Sequence, residues 1–153
     1  MLDRRRRRGF SLIELLIVIT IILLIISIAA PKYRQVQMLS RETAALSAIR
    51  TIQTMQVQYE SQFGRFATKL EELGPPTSGT PSAAGAALIG SDLSQGLNKG
   101  YKYTMTAVPG GYQITAIPVV FGSDGNRAFY SDQTMEIRVK SGGPATADSD
   151  VFK

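Results

Sequence analysis

Residues 10–30 are apolar almost without exception, and one charge, Glu14, stands among them. As a helix rising about 1.5 Å per residue, this run covers roughly 30 Å, the thickness of a bilayer's hydrocarbon core. From Leu15 to Ala30 the only polar residues are Thr20 and Ser27, and both types can bond back to helix carbonyls. A buried helix of this length in a soluble protein would carry a polar stripe. The run therefore predicts a membrane-spanning helix.

Five arginines, Arg4 to Arg8, stand directly before the span. Basic flanks stay in the cytoplasm, so Lys32 and all that follows should lie on the far side. A secretory signal also begins basic and turns apolar, but its apolar core is about 7–15 residues long and ends in small residues. Ala29-Ala30-Pro31 is a poor cleavage point because proline follows it. The better one lies before the span, between Gly9 and Phe10.

Glu14 has to be accounted for. A carboxylate in hydrocarbon costs at least ~2.5 kcal/mol even on permissive insertion scales, which makes it functional by default. One reading places it near the cytoplasmic edge, reaching the headgroups. The other follows from a cut after Gly9. Glu14 is then the fifth residue, one helical turn from a new α-amine, and a cation of that kind on a neighbouring subunit is a natural partner for it.

The segment Arg8-Gly9-Phe10-Ser11-Leu12-Ile13-Glu14-Leu15-Leu16-Ile17-Val18 closely resembles the class III leader of type IV pilins and type II secretion pseudopilins. The resemblance implies cleavage after Gly9 by a prepilin peptidase that also N-methylates Phe10. It implies an assembly role for Glu14. Pro31 matches the proline at which such helices bend or melt in a filament. The motif covers residues 8–31; beyond it the likeness is one of architecture.

Composition narrows the rest. Of 17 basic residues five are Arg4–Arg8, and of 12 acidic residues one is Asp3, so the chain beyond the leader carries 12 against 11 and is near neutral. The high pI is thus a topology signal and no argument for nucleic acid. There is no cysteine, so the exported part folds without disulfides, unlike the many pilins that pin a C-terminal loop with one. There is no histidine, which removes the commonest acid–base group and metal ligand.

After Pro31 the pattern becomes amphipathic. Val36, Leu39, Leu46, Ile49, Ile52, Met55, Tyr59 and Phe63 step mostly by three or four, with Gln35, Ser40, Arg41, Glu42, Arg50 and Gln58 opposite. This predicts one helix from about Phe10 to Phe63, with a bend at Pro31 and a left-handed cap at Gly64. Thr68-x-x-Glu71 has the form of a capping box opening a short helical turn, Lys69–Leu73. Residues 77–90 read as an exposed loop with one turn of helix near Ala83–Leu88. From Tyr101 the period changes to two. Tyr101–Ala107 and Tyr112–Val120 flank Pro109-Gly110-Gly111; a second turn spans Gly122–Asn126; Arg127–Ser131 and Thr134–Lys140 form a further pair.

The expected fold is α+β: a long N-terminal helix packed on an antiparallel β-meander of three to four strands. Its divisions are a cleaved leader at 1–9, the transmembrane and assembly helix at 10–31, an amphipathic helix at 32–64, an αβ-loop at 65–100, the sheet at 101–140 and a flexible tail at 141–153.

Other chemistry is weakly signalled. Asp124, Asp132, Asp148 and Asp150 match no defensible calcium loop, so no metal is expected. Without His or Cys there is no nucleophile–base pair, and neither a catalytic site nor a cofactor is expected. Tyr33, Tyr59, Phe63 and Phe66 read as core packing more than as a conducting stack. Lys99, Lys102, Arg127 and Lys140 are scattered, and nucleic acid is not an expected partner.

The resemblance implies a structural subunit of a helical filament built from the inner membrane and ending as an extracellular or periplasmic fibre. Its partners would be further copies of itself or related subunits, the prepilin peptidase and methyltransferase, an inner-membrane assembly platform, a cytoplasmic motor, and lipid before assembly. The alternative within the family is a pseudopilin of a type II secretion system. The alternative outside it is a single-pass anchored periplasmic binding module that never polymerises. A simple anchor needs neither Gly9 nor Glu14 where they stand.

Overall fold

A computed structural model describes residues 9–153. The basic leader, with Arg4–Arg8, lies outside the described residues. The chain forms two compact units that divide between Val36 and Gln37. One helix, α1 (Leu12–Phe63), contributes to both and includes Pro31. The sequence predicted its start at Phe10. Helix begins at Leu12 because the Ser11 carbonyl accepts the first bonds, from Glu14 N at 3.1 Å and Leu15 N at 3.2 Å. Its end is the predicted one: Gly64 adopts φ +70° and donates to the Glu60 carbonyl at 2.8 Å.

In the second unit, α1 is followed by α2 (Leu70–Leu73), α3 (Ser91–Ser94) and six strands. These are β1 (Leu97–Asn98), β2 (Tyr101–Val108), β3 (Gly111–Pro118), β4 (Arg127–Asp132), β5 (Ile137–Ser141) and β6 (Asp150–Val151). They form a single antiparallel sheet in sequence order. The α+β class and the meander are as expected. The strand count is corrected from three or four to six. The additions are two-residue edge strands, too short to show alternation. The β2–β3 hairpin closes through Pro109 and a left-handed Gly110 (φ +77°), residues suited to a type II turn.

Alternation decides which side of the sheet is core. Tyr101, Tyr103 and Met105 of β2 and Tyr112, Ile114 and Ala116 of β3 point inward with Phe129. Against them lie Ala45, Leu46, Ile49, Ile52 and Tyr59 of α1. Leu46, Ile49, Ile52 and Tyr59 of the predicted stripe are buried against the sheet, while Val36 and Leu39 before them are 65% and 57% exposed. The polar side needs one correction. Glu42, expected on the solvent side, is 6% exposed, and Gln53 and Gln56 are also buried.

These polar residues are tolerated because each is satisfied. The Glu42 carboxylate accepts from Asn126 N at 2.8 Å and from Arg127 Nε at 2.7 Å. Gln53 Nε2 donates to Ser131 Oγ at 2.6 Å, and that hydroxyl donates to the Glu136 carbonyl. Gln56 accepts from Ala67 N at 2.8 Å and donates to the Ala67 carbonyl at 3.0 Å. The helix is thus tied to the sheet and to the connecting segment by directional bonds as well as by apolar contact.

The connecting segment differs in detail. The partner of Thr68 is Glu72, not Glu71: Thr68 N and Oγ1 donate to the Glu72 carboxylate at 3.2 and 2.6 Å. The stretch Ala83–Leu88 is not helical. Ala83 and Ala84 form a tight turn between the bridged Ser82 and Gly85, Ala87 adopts φ +56°, and the stretch is held by Ala86 N donating to the Glu72 carbonyl and Leu88 N to the Leu73 carbonyl, both at 2.8 Å. The tail, expected to be flexible, lies along the sheet. Ala145 packs with Ala128, Tyr130 and Ile117 on the outer face. Arg138 Nη1 donates to the Ser149 carbonyl at 3.0 Å, and the Phe152 ring meets Phe129 at 6.1 Å.

Candidate functional site

The N-terminal unit carries the residues singled out from the sequence. Gly9 and Phe10 precede the helix, and Phe10 is 80% exposed. Glu14 occupies the first turn of α1. Ser11 before the helix and Glu14 at its third position are the residue types of a capping box, and an acid there also suits the helix dipole. From Leu12 to Ile28 every large apolar side chain is between 45% and 81% exposed. The two polar residues of the run cost the helix little. Thr20 Oγ1 donates to the Leu16 carbonyl at 2.7 Å and Ser27 Oγ to the Leu24 carbonyl at 2.8 Å, as the sequence suggested. Among the described residues none covers this surface, and α1 is long and apolar enough to cross a membrane.

The second unit disperses the other candidates. Asp124 is committed to Arg41 through one oxygen and accepts from Val120 N at 3.1 Å through the other. Asp132 caps its own turn, accepting from Thr134 N at 2.9 Å. Asp148 and Asp150 line an open hollow of about 510 Å³ together with Lys140 and Arg127. Among the described residues no three acidic side chains gather into a metal-holding group. Of the four cations weighed for nucleic acid, Arg127 is held by Glu42. Lys102 on β2 and Lys140 on β5 are three strands apart, about 14 Å.

The aromatics do not make one row. Tyr59 meets Phe63 at 4.6 Å, while Phe66 turns to Tyr112 at 5.2 Å. Burial pushes the Tyr103 hydroxyl up to about 12, and it does the same to Tyr112 with help from Asp132 and Glu60. Both phenols stay neutral at physiological pH and act as core. Glu72 is the electrostatic centre of the connecting segment. Burial alone would raise its pKa. Bonds from Thr68, Arg65 and Tyr59 outweigh that and hold it below the usual carboxylate range.

The sequence did not single out Glu42, Gln53 and Gln56. The available signal was polarity at positions in phase with Leu46, Ile49 and Ile52.

Residues 4–30 match the prokaryotic N-terminal methylation motif. The chain is also 35% identical over 69 residues to the type IV major pilin protein PilA of Myxococcus xanthus; the match covers 45% of this chain and 31% of that protein. The aligned part thus spans about a third of the relative's length. No solved structure matches the chain. A basic leader, an uncovered apolar helix with an acid in its first turn, the methylation motif and the pilin relative agree, and the N-terminal region of the chain is similar to that of type IV pilins.

Proposed function

We propose that the protein is a structural subunit of a type IV pilus-like filament assembled from the inner membrane, after cleavage between Gly9 and Phe10 and methylation of the Phe10 amine. The observation that carries this reading is the contrast between the two units. The second closes its own core, whereas Leu12 to Ile28 leaves every large apolar side chain exposed. Such a surface is covered by lipid before assembly and by the same segment of other copies afterwards. The roughly 25 cal/mol per Å² that drives apolar surface out of water is not gained when that surface passes from lipid into protein, so apolar burial alone barely favours the filament over the membrane. Specific contacts have to tip the balance, and Glu14 is the group placed to supply one. Pro31 lacks a backbone N–H and is the point at which the helix can yield during packing. The contacts repeat head to tail without closing, which gives a fibre. The subunit performs no catalysis. Exposed Glu14 pairs with the Phe10 amine of an adjacent copy, and force comes from a separate motor through the membrane platform.

The test is imaging of fibres sheared from the cell surface, with intact mass measured on their subunit. The expected subunit begins at Phe10 and is heavier by one methyl group. A native protein that retains Arg4–Arg8 overturns the reading.

A further inference from the structure

Immediately beyond the apolar run stand Pro31, Lys32, Tyr33 and Arg34. By the helical rise, Lys32 and Arg34 lie about 3 and 6 Å past Ala30 along the axis. The headgroup layer on each side of the hydrocarbon is about 5–7 Å deep. With residues 10–30 filling the core, both cations fall inside that layer. They sit on the exported side, where lysine and arginine run against the bias that orients a span. Their presence opposes the orientation set by Arg4–Arg8 and needs a gain that offsets it.

Their surroundings point to that gain. Arg41, Arg65, Arg127 and Arg138 each hold a carboxylate. Lys32 and Arg34 are exposed and form no ion pair with a described carboxylate. Two positions apart on a helix, they project about 200° apart around the axis. That arrangement cannot converge on a single small anion. It suits a layer of separate anionic groups surrounding the helix. Tyr33, 66% exposed between them, is of the amphipathic type that settles at membrane interfaces.

We propose that Lys32 and Arg34, with Tyr33 between them, form a collar that binds the phosphates of anionic lipid headgroups on the exported face of the bilayer. The collar rests on reading residues 10–30 as a span and is independent of filament formation. It fixes the depth of the helix before assembly, and its contacts must be given up when a subunit leaves the membrane.

The full chain, reconstituted in phosphatidylcholine vesicles containing a minor share of phosphatidylglycerol, provides the test. Electron paramagnetic resonance with spin-labelled lipids reads the ratio of phosphatidylglycerol to phosphatidylcholine held at the protein. Lys32→Gln/Arg34→Gln should lower that ratio about fivefold, about 1 kcal/mol for the two cations together. Lys32→Arg/Arg34→Lys should retain it, and 1 M salt should abolish the difference between the two variants. Arg4–Arg8 are common to all three chains and drop out of the comparison. An inserted chain whose ratio is unchanged by the glutamine pair overturns the collar. So does inorganic phosphate that competes far better than chloride at matched ionic strength, since that marks a discrete anion site. Extraction of the chain by alkaline carbonate overturns the span itself, and is distinguishable from both.

Discussion

Arg127 donates through Nε to one oxygen of Glu42 at 2.7 Å and brings Nη2 to 2.6 Å from the same oxygen, while the other oxygen of that carboxylate takes the Asn126 amide. The pair joins the start of the buried part of α1 to the loop entering β4. The Glu42 side chain is 7% exposed and that of Arg127 32%, so the carboxylate has lost most of its water and depends on the Arg127 guanidinium and the Asn126 amide. Residues 35–153, made without the apolar run, should fold as a soluble monomer, because the second unit closes its own core. In that fragment Glu42→Ala should cost about 2–4 kcal/mol by chemical denaturation, since it leaves Arg127 and an amide without their acceptor. Glu42→Gln should recover part of this. A loss below 0.5 kcal/mol would mean that solvent replaces the carboxylate freely.

Gly125 marks a second constraint on the same loop. A Cβ there would stand 2.1 Å from the Tyr101 hydroxyl, which donates to the Arg127 carbonyl at 2.9 Å. Tyr101 is fully buried and cannot swing aside. Gly125→Ala should therefore destabilise the fragment by about 1–3 kcal/mol through overpacking. Gly110→Ala meets no neighbour but must hold φ +77°. Its cost should be the conformational one, about 1–2 kcal/mol. Adding Tyr101→Phe should relieve part of the first cost, since the ring carbons at 2.9 and 3.2 Å remain, and leave the second unchanged; equal responses would refute the steric account.

What was legible in the sequence follows from periodicity and its limits. The apolar run, Gly64 and the strands built on Tyr101, Tyr103 and Met105 each express a pattern over several residues, and each is found. Glu42, Gln53 and Gln56 were opaque because a polar residue on a buried face is identified by its partner, and Asn126, Ser131 and Ala67 are distant in sequence. The contacts of the tail were not legible because Ala145 and Phe152 are single apolar residues in a polar stretch, and the surfaces they cover are made elsewhere. Thr68 could have capped with either of two adjacent glutamates. Glu72 takes the role because Arg65 and Tyr59 also converge on it.

That convergence gives the fold an acid limit. Glu72, depressed below its ordinary value of 4.5, is ionised in the folded state at pH values where the unfolded chain has begun to bind a proton. Its contribution is therefore complete above the unfolded value and is lost as pH falls through the folded one. Denaturation of the fragment at pH 7, 4.5 and 3 should show stability falling across this window. Glu72→Gln should lower stability at pH 7 and flatten the fall. Parallel pH profiles for the two proteins would remove Glu72 as the cause.

Glu14 offers the sharpest discrimination, because its two roles differ in size. As an acid in the first turn it gains about 0.3–1 kcal/mol from the helix dipole. As the partner of a neighbouring Phe10 amine in an apolar filament core, its removal would leave a cation unpaired, at a cost of about 3–5 kcal/mol for each subunit added. Glu14→Ala makes the span more apolar, so membrane insertion should be equal or better. We expect normal subunit levels in the membrane and no filaments. Glu14→Gln keeps the shape and the capping types yet loses the charge, and should be nearly as defective. Glu14→Asp, with a shorter stem, should be intermediate. The measurement is filament yield beside membrane level for each variant. Normal filaments from Glu14→Ala would reduce the carboxylate to a headgroup bystander and remove the pairing from the mechanism; a defect confined to insertion would do the same, because a charge needed for assembly alone has no part in entering the bilayer.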